Sequence, residues 1–150
     1  MTTLNGNFII RHKATSYAIG RHLVEDKSLL PKRILSLPQN IEVPKWDIKH
    51  NNGHYTMKAR GGTVAAINGS VSALLMEEPD ARDKWDITAV PQHGDNTYII
   101  ELTVESNDDG QGWMLPENEP ETQIVSRMLV STKSIPPQYF PNALFEITPA

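Results

Sequence analysis

Lys27 stands directly before Ser28 in the run Val24-Glu25-Asp26-Lys27-Ser28-Leu29-Leu30-Pro31-Lys32-Arg33. A basic residue followed by a small one is the pair at which trypsin-like proteases prefer to cut. The run shows neither strand alternation nor a helix cap. Pro31 restricts the backbone just after it. On charge alone the run reads as a solvated connection. Its position and the Lys27-Ser28 pair make it instead a candidate for an exposed, extended binding loop.

Other residues with chemistry in them carry less. The five histidines are His12, His22, His50, His54 and His93. His50 and His54 have the spacing of a metal pair on a helix. The intervening Asn51-Asn52-Gly53 reads as a hairpin turn, so the helical geometry is lost and structural or solvated histidines are expected. Asp108-Asp109-Gly110 lacks the alternating ligand positions of a calcium loop and reads as a turn. No Gly-x-Ser-x-Gly elbow, phosphate loop or dinucleotide fingerprint occurs. An enzyme, a cofactor and a metal are therefore not expected. With no cysteine, disulfide stapling and thiolate zinc are excluded. A net charge of −4 removes the basic footprint of a nucleic-acid binder and makes an anionic membrane a poor partner. Met1 to Asn7 has no basic segment leading into a long apolar run, so no secretory signal is read and a cytoplasmic protein is the expectation. Release on tissue damage is compatible with that.

The elements that must position these residues are strands. Apolar runs of three to six residues alternate with Gly, Asn, Pro and Asp, and no amphipathic helix stands out. The length suits one domain, spanning residues 1–150. Glu117-Asn118-Glu119-Pro120-Glu121 is the richest candidate for a mobile loop. A repeat organises the rest. Lys45-Trp46-Asp47-Ile48 recurs as Lys84-Trp85-Asp86-Ile87, with a weaker copy at Leu144-Phe145-Glu146-Ile147. In each, the aromatic and the isoleucine are two apart and share one strand face. Gly6-Asn7-Phe8, Gly53-His54-Tyr55 and Asn96-Thr97-Tyr98 begin the units alike. Between start and end each unit has room for two more strands: about 17–22 and 34–37, 64–67 and 72–76, and 112–115 and 123–129. Asn68-Gly69 joins the middle pair as a hairpin turn.

Twelve strands in three pseudo-repeats, without helices, resemble a β-trefoil. That resemblance implies that Trp46, Trp85 and Phe145 fill a central barrel. Many trefoils bind sugars through Gln-x-Trp near the end of each unit. Here the string occurs once, as Gln111-Gly112-Trp113, in the middle of the third unit, while Lys45-Trp46 and Lys84-Trp85 lack the glutamine. Trp113 is therefore expected in the core or in loop packing, with a sugar-binding lectin as the alternative.

The sequence is similar over nearly its whole length to the mushroom serine protease inhibitors of the cospin type. The stretches that carry the likeness are GRHLVEDKSLLPKRILSLP (Gly20–Pro38), PKWDI (Pro44–Ile48), ALLMEEPD (Ala73–Asp80), GWMLPENEPETQIVSRML (Gly112–Leu129) and FPNALFEI (Phe140–Ile147). The resemblance implies a β-trefoil of fungal defence whose partner is a trypsin-like serine protease; a monomer is the simplest expectation. It implies that Lys27 enters the specificity pocket and that Ser28 follows the scissile bond, with Glu25, Asp26, Leu29 and Leu30 alongside. Some related inhibitors use a basic residue in the third repeat, for which Arg127 and Lys133 are the candidates here. The mushroom mycocypins suggest a further alternative, in which Asn68 is offered to an asparagine-specific cysteine protease. Without disulfides, the loop is expected to be held by packing and side-chain hydrogen bonds, with Val24, Leu29, Leu30 and Pro31 as anchors. Asn5 or Asn7 is expected to bond to its backbone.

Overall fold

A computed structural model describes residues 3–104 and 110–150. Its twelve strands are β1 (Gly6–His12), β2 (Ile19–Arg21), β3 (Lys32–Ser36), β4 (Trp46–Asn51), β5 (His54–Ala59), β6 (Gly62–Ile67), β7 (Ser70–Leu74), β8 (Trp85–Ala89), β9 (Thr97–Leu102), β10 (Gln111–Met114), β11 (Val125–Met128) and β12 (Phe145–Pro149). Two short 3-10 turns, Pro91–His93 and Pro141–Ala143, are the only helical segments among the described residues.

The pairing divides the strands into two sets. β1 pairs β4, β4 pairs β5, β5 pairs β8, β8 pairs β9, β9 pairs β12, and β12 returns to β1, all antiparallel. These strands therefore close into a ring with no free edge, which removes the row of unpaired amides that an open sheet exposes. The other strands form the hairpins β2–β3, β6–β7 and β10–β11. The hairpins link to one another through Lys32↔Ala73, Val125↔Ser70 and Leu35↔Gln123.

Turn chemistry closes several of these pairs. Asn52-Gly53 between β4 and β5 has φ of 53° and 83°, and Asn68-Gly69 between β6 and β7 has 51° and 79°. Both central residues of a tight two-residue turn need positive φ, which Asn and Gly adopt at least cost. Arg60-Gly61 does the same between β5 and β6, without the Asn that marks such a turn in sequence.

The ring and the hairpins share one core. Trp46, Trp85 and Phe145 are fully buried, each beside a buried or half-buried isoleucine two residues on. Trp113 is equally buried and sits at their centre, with ring centroids 5.5 Å from Trp46, 5.8 Å from Trp85 and 5.7 Å from Phe145. Offset and edge-on contacts of this kind add about 0.5–1.5 kcal/mol each beyond area burial. The Trp46 indole N–H donates to the Ile19 carbonyl on β2, and that of Trp85 to the Val64 carbonyl on β6. Each tryptophan so ties the ring to a hairpin. This burial removes Trp113 from any sugar-binding surface.

The segment Glu117 to Glu121, expected as a mobile loop, is tied down. Ser36 Oγ donates to the Glu119 carbonyl, and the Glu121 N–H donates to the Ser36 carbonyl.

Candidate functional site

The loop from His22 to Pro31 connects β2 to β3. The chain leaves β2 at Arg21, one residue before the expected strand end, because His22 begins a turn. Its Nδ1 lies 3.0 Å from the Val24 N and 2.9 Å from the Val24 carbonyl oxygen, and its Nε2 donates to the Glu121 carboxylate at 2.6 Å.

The loop is braced by polar groups at both ends. Upstream, Arg21 donates from Nε and Nη2 to the two oxygens of Glu25, at 3.1 and 2.6 Å. Its Nη1 donates to the carbonyls of Ala59 and Arg60. The side chains of Arg21 and Glu25 are only 7% and 12% exposed, so this is a nearly dry, two-toothed ion pair. Arg60 adds a second cation 3.5 Å from Glu25 and donates to the His22 carbonyl. Downstream, Lys32 on β3 is buried, and its ammonium group donates to Asp26 Oδ1 at 2.6 Å and to the Asp26 carbonyl at 3.1 Å. The same Oδ1 accepts from the Ser28 N–H at 3.0 Å and from Ser28 Oγ at 2.5 Å. The Leu30 N–H in turn donates to Ser28 Oγ. The lysine ammonium, with the two Ser28 donors, holds the Asp26 carboxyl well below the usual carboxylate range.

These bonds bracket Lys27-Ser28. Asp26 and Ser28 grip each other across the Lys27–Ser28 peptide bond, and Lys32 fixes that grip to the β-scaffold. Lys27 itself is exposed and makes no hydrogen bond or ion pair with any described residue. The arrangement offers a lone cation at the crest of a restrained segment.

Side-chain hydrogen bonds hold the loop, as expected, but the expected apolar anchors do not. Val24, Leu29 and Leu30 do not pack inward: they are 80%, 60% and 66% exposed. Pro31 is half-buried. Asn5 Oδ1 accepts from the His50 N–H, and the Asn7 carbonyl accepts from the Ala150 N–H, so neither reaches the loop. Of the expected contact residues, Lys27, Leu29 and Leu30 face outward, Ser28 is half-buried and Asp26 is exposed but engaged. Glu25 turns into the molecule and serves as a brace. Arg21 and Lys32 were missed by sequence reasoning. The available signal was Asp26-x-Ser28, the pattern by which an Asp side chain caps the backbone two residues on.

The remaining candidates lie elsewhere. Arg127 is exposed on β11 in regular pairing with Gly112, so its backbone is already committed to the sheet. Lys133 is exposed in the loop between β11 and β12. Asn68 is exposed at its hairpin tip, where Gly69 accepts from the Ser126 N–H. His50 and His54 fall on opposite strands of the β4–β5 hairpin, and the His50 ring packs on Tyr55. Among the described residues no group of three or more metal-binding side chains is gathered. Asp108 and Asp109 lie outside the described residues.

Comparison with known proteins places this geometry. The model of the family named peptidase inhibitor I66 matches residues 1–149. The chain belongs to that family. It is 39% identical over 130 residues to a serine protease inhibitor of Lentinula edodes, covering 86% of this chain and 87% of the relative. Its structure is similar to that of a proteinase inhibitor from Coprinopsis cinerea, with a TM-score of 0.88 and 31% identity over 99% of this chain and all of the other. The fold alone extends to a ricin B-like lectin of Macrolepiota procera, solved with lactose, at a TM-score of 0.69 and 14% identity over the full length of both chains. As a member of an inhibitor family, the chain is a ligand of proteases and carries out no turnover of its own.

Proposed function

We propose that this protein is a substrate-like, reversible inhibitor of trypsin-like serine proteases, built as a single monomeric β-trefoil over residues 1–150. The closed ring with three linked hairpins, and the matching indole bonds of Trp46 and Trp85, support the trefoil reading. Peptidase inhibition follows from family membership. The observation that carries the site is the unpartnered, exposed Lys27 set between Asp26 and Ser28, which bond to each other and to the buried Lys32.

In this reading residues 24–30 lie extended in the protease cleft. Lys27 enters a pocket floored by an acidic residue, and the Lys27 carbonyl points into the oxyanion hole. Attack by the enzyme's serine on that carbonyl releases the Ser28 amine and leaves an acyl-enzyme at Lys27. A free peptide would then drift away. Here Asp26 on one side of the cut and Ser28 and Lys32 on the other remain bonded, so the amine stays beside the acyl group. Its high effective concentration drives resynthesis of the peptide bond. Prior restraint also lowers the ordering cost of docking.

Titrating trypsin with wild type, Lys27→Ala and Arg127→Ala tests the assignment. Lys27→Ala is expected to inhibit at least about 30-fold more weakly, as a hot-spot residue does, while Arg127→Ala matches wild type. Full inhibition by Lys27→Ala would remove the loop from consideration.

A further inference from the structure

Between β7 and β8 the chain runs Leu75-Met76-Glu77-Glu78-Pro79-Asp80-Ala81-Arg82-Asp83-Lys84. Large apolar side chains at a strand end normally gain free energy by packing onto their own protein. Here Leu75 is 38% exposed and Met76 56%. With Leu74 they line an open groove of about 650 Å³ that also takes in Glu77, Glu78 and Asp83. Among the described residues no cation lies within ion-pairing distance of Glu77, Glu78, Asp80 or Asp83. The groove therefore offers apolar surface beside uncompensated negative charge.

The segment is held in place, and it lies at the end of the molecule that carries Lys27. At its base Arg82 exchanges two backbone bonds with Ala66 on β6, at 2.8 and 3.1 Å. The Ala81 N–H donates to the Glu78 carbonyl and closes a turn. On the other side β7 pairs antiparallel with β3, through Lys32↔Ala73 and Arg33↔Ser72. The residues just before Lys32 and those just after Ala73 therefore leave the sheet at the same end. The first are Leu29, Leu30 and Pro31; the second are Leu74, Leu75 and Met76. β6 sets Thr63 opposite Leu74, and the turn Arg60-Gly61 that leads into β6 closes this end too. Arg60 of that turn donates to the His22 carbonyl and pairs with Glu25. The acidic segment thus leaves β7 beside the strand that Leu29 and Leu30 lead into.

We infer that Leu75 to Asp83 forms a second contact surface for the protease that takes Lys27, and that it favours trypsin-like proteases with lysine or arginine on the leaving-group rim of their cleft. The inference rests on the reading of Lys27 as the residue that enters the specificity pocket. In that reading Leu29 and Leu30 follow the scissile bond, so the enzyme wall that covers them continues towards Leu75 and Met76. A standard inhibitor interface covers about 800 Å² on each partner, which takes in surface around the loop as well as the loop itself. Leu75 and Met76 supply the apolar part of that surface. Glu77, Glu78 and Asp83 are its rim charges, which steer approach and choose between partners more than they add affinity. A cationic rim on the enzyme is drawn in, and an acidic one is repelled. With a screening length of about 8 Å at physiological salt, only charges close to the groove feel it. Lys27 meets the same acid in the pocket of every trypsin-like enzyme. The acidic segment therefore supplies a selectivity that Lys27 cannot.

The test measures association and dissociation rates with two enzymes: a trypsin with basic residues on that rim, and the same trypsin with those residues replaced by glutamine. Wild type, Lys27→Ala, the pair Glu77→Gln and Glu78→Gln, and the pair Leu75→Ser and Met76→Ser are compared. The glutamine pair is expected to slow association with the basic-rimmed enzyme about fivefold at low salt, with a shallower salt dependence. Its association with the glutamine-rimmed enzyme should stay within about twofold of wild type. The serine pair should speed dissociation from both enzymes about tenfold. Glu77→Lys should reverse the preference, slowing the basic-rimmed enzyme more than the other, a result that damage to the fold would not give. If the glutamine pair associates with both enzymes as wild type does, while Lys27→Ala has lost inhibition, the acidic surface is overturned and the Lys27 site stands. If Lys27→Ala inhibits as strongly as wild type, the Lys27 reading fails and this surface goes with it.

Discussion

Glu25→Ala separates bracing from contact. The carboxylate lost is 12% exposed and meets a guanidinium that is 7% exposed. Removing one partner of such a pair leaves an uncompensated buried charge, a loss of about 3–5 kcal/mol. Arg21 keeps its bonds to the Ala59 and Arg60 carbonyls, which places the expected loss at the lower end, about 3 kcal/mol. For a chain of this length that lowers Tm by roughly 6–12 °C. The loop loses its upstream brace while Asp26 remains on Lys32. Freeing one residue restores about 1–2 kcal/mol of backbone entropy that docking must then remove, so inhibition weakens about tenfold. Urea unfolding and trypsin titration read the two effects on one sample. Lys27→Ala is the complement: its midpoint stays within about 0.5 kcal/mol of wild type, since an exposed side chain without partners is lost, while its inhibition collapses. The loop of Glu25→Ala should also be cut faster on long incubation with trypsin. A Glu25→Ala protein with the wild-type midpoint and wild-type inhibition would refute the claim that this ion pair holds the loop.

Three further outcomes follow from the same structure. Because Lys32 and Ser28 depress the Asp26 pKa below its unfolded value of about 3.9, the folded state binds that proton more weakly. The stabilisation is therefore fully present above the unfolded value and is lost only as pH falls through the lower folded one. The Asp26 carboxyl signal in NMR should show no titration step between about pH 3.5 and 5, and a midpoint in that range would contradict the clamp. Trp113→Ala should cost about 3–5 kcal/mol in urea unfolding, as loss of a large buried aromatic does, and a glycan array should give no signal that depends on Trp113. Asn68→Ala removes the short polar side chain that makes a left-handed φ of 51° tolerable and should cost about 1 kcal/mol, with trypsin inhibition unchanged; loss of inhibition would bring that hairpin tip into the interface.

The strands and the loop were readable in the sequence for a physical reason. Asn-Gly turns and the spaced aromatic–isoleucine pairs are local patterns, and each has one cheap structural solution. Trp46, Trp85 and Phe145 accordingly lie where the repeat places them. Lys27 was readable because a basic residue outside any periodic element has nowhere to go but the surface. The braces were not readable. Arg21 and Glu25 are four apart in a segment that is not helical, and Arg60 joins them from 35 or more positions further along the chain. No periodicity announces a contact of that kind. Lys32 misleads in a different way, since a lysine in a basic Lys-Arg pair reads as solvated, yet alternation along β3 turns it inward and Arg33 outward.

The largest misreading, that Val24, Leu29 and Leu30 anchor the loop, follows from applying the rule of the core to a segment whose proposed task is the opposite. An apolar side chain near a turn normally gains free energy by packing onto its own protein. A substrate-like loop must spend those side chains on the subsites of another protein, so they have to stand clear when it is free. Something else must then hold the backbone. The groups left for the purpose are the carboxylates, the serine hydroxyl and the main chain, and these need buried or restrained donors to face. Arg21 and Lys32, both on the strands that flank the loop, supply them. A polar brace of this kind is directional, as an apolar cluster is not, and so fixes the conformation of the Lys27–Ser28 bond itself. The exposed leucines and the buried cations are thus two sides of one requirement.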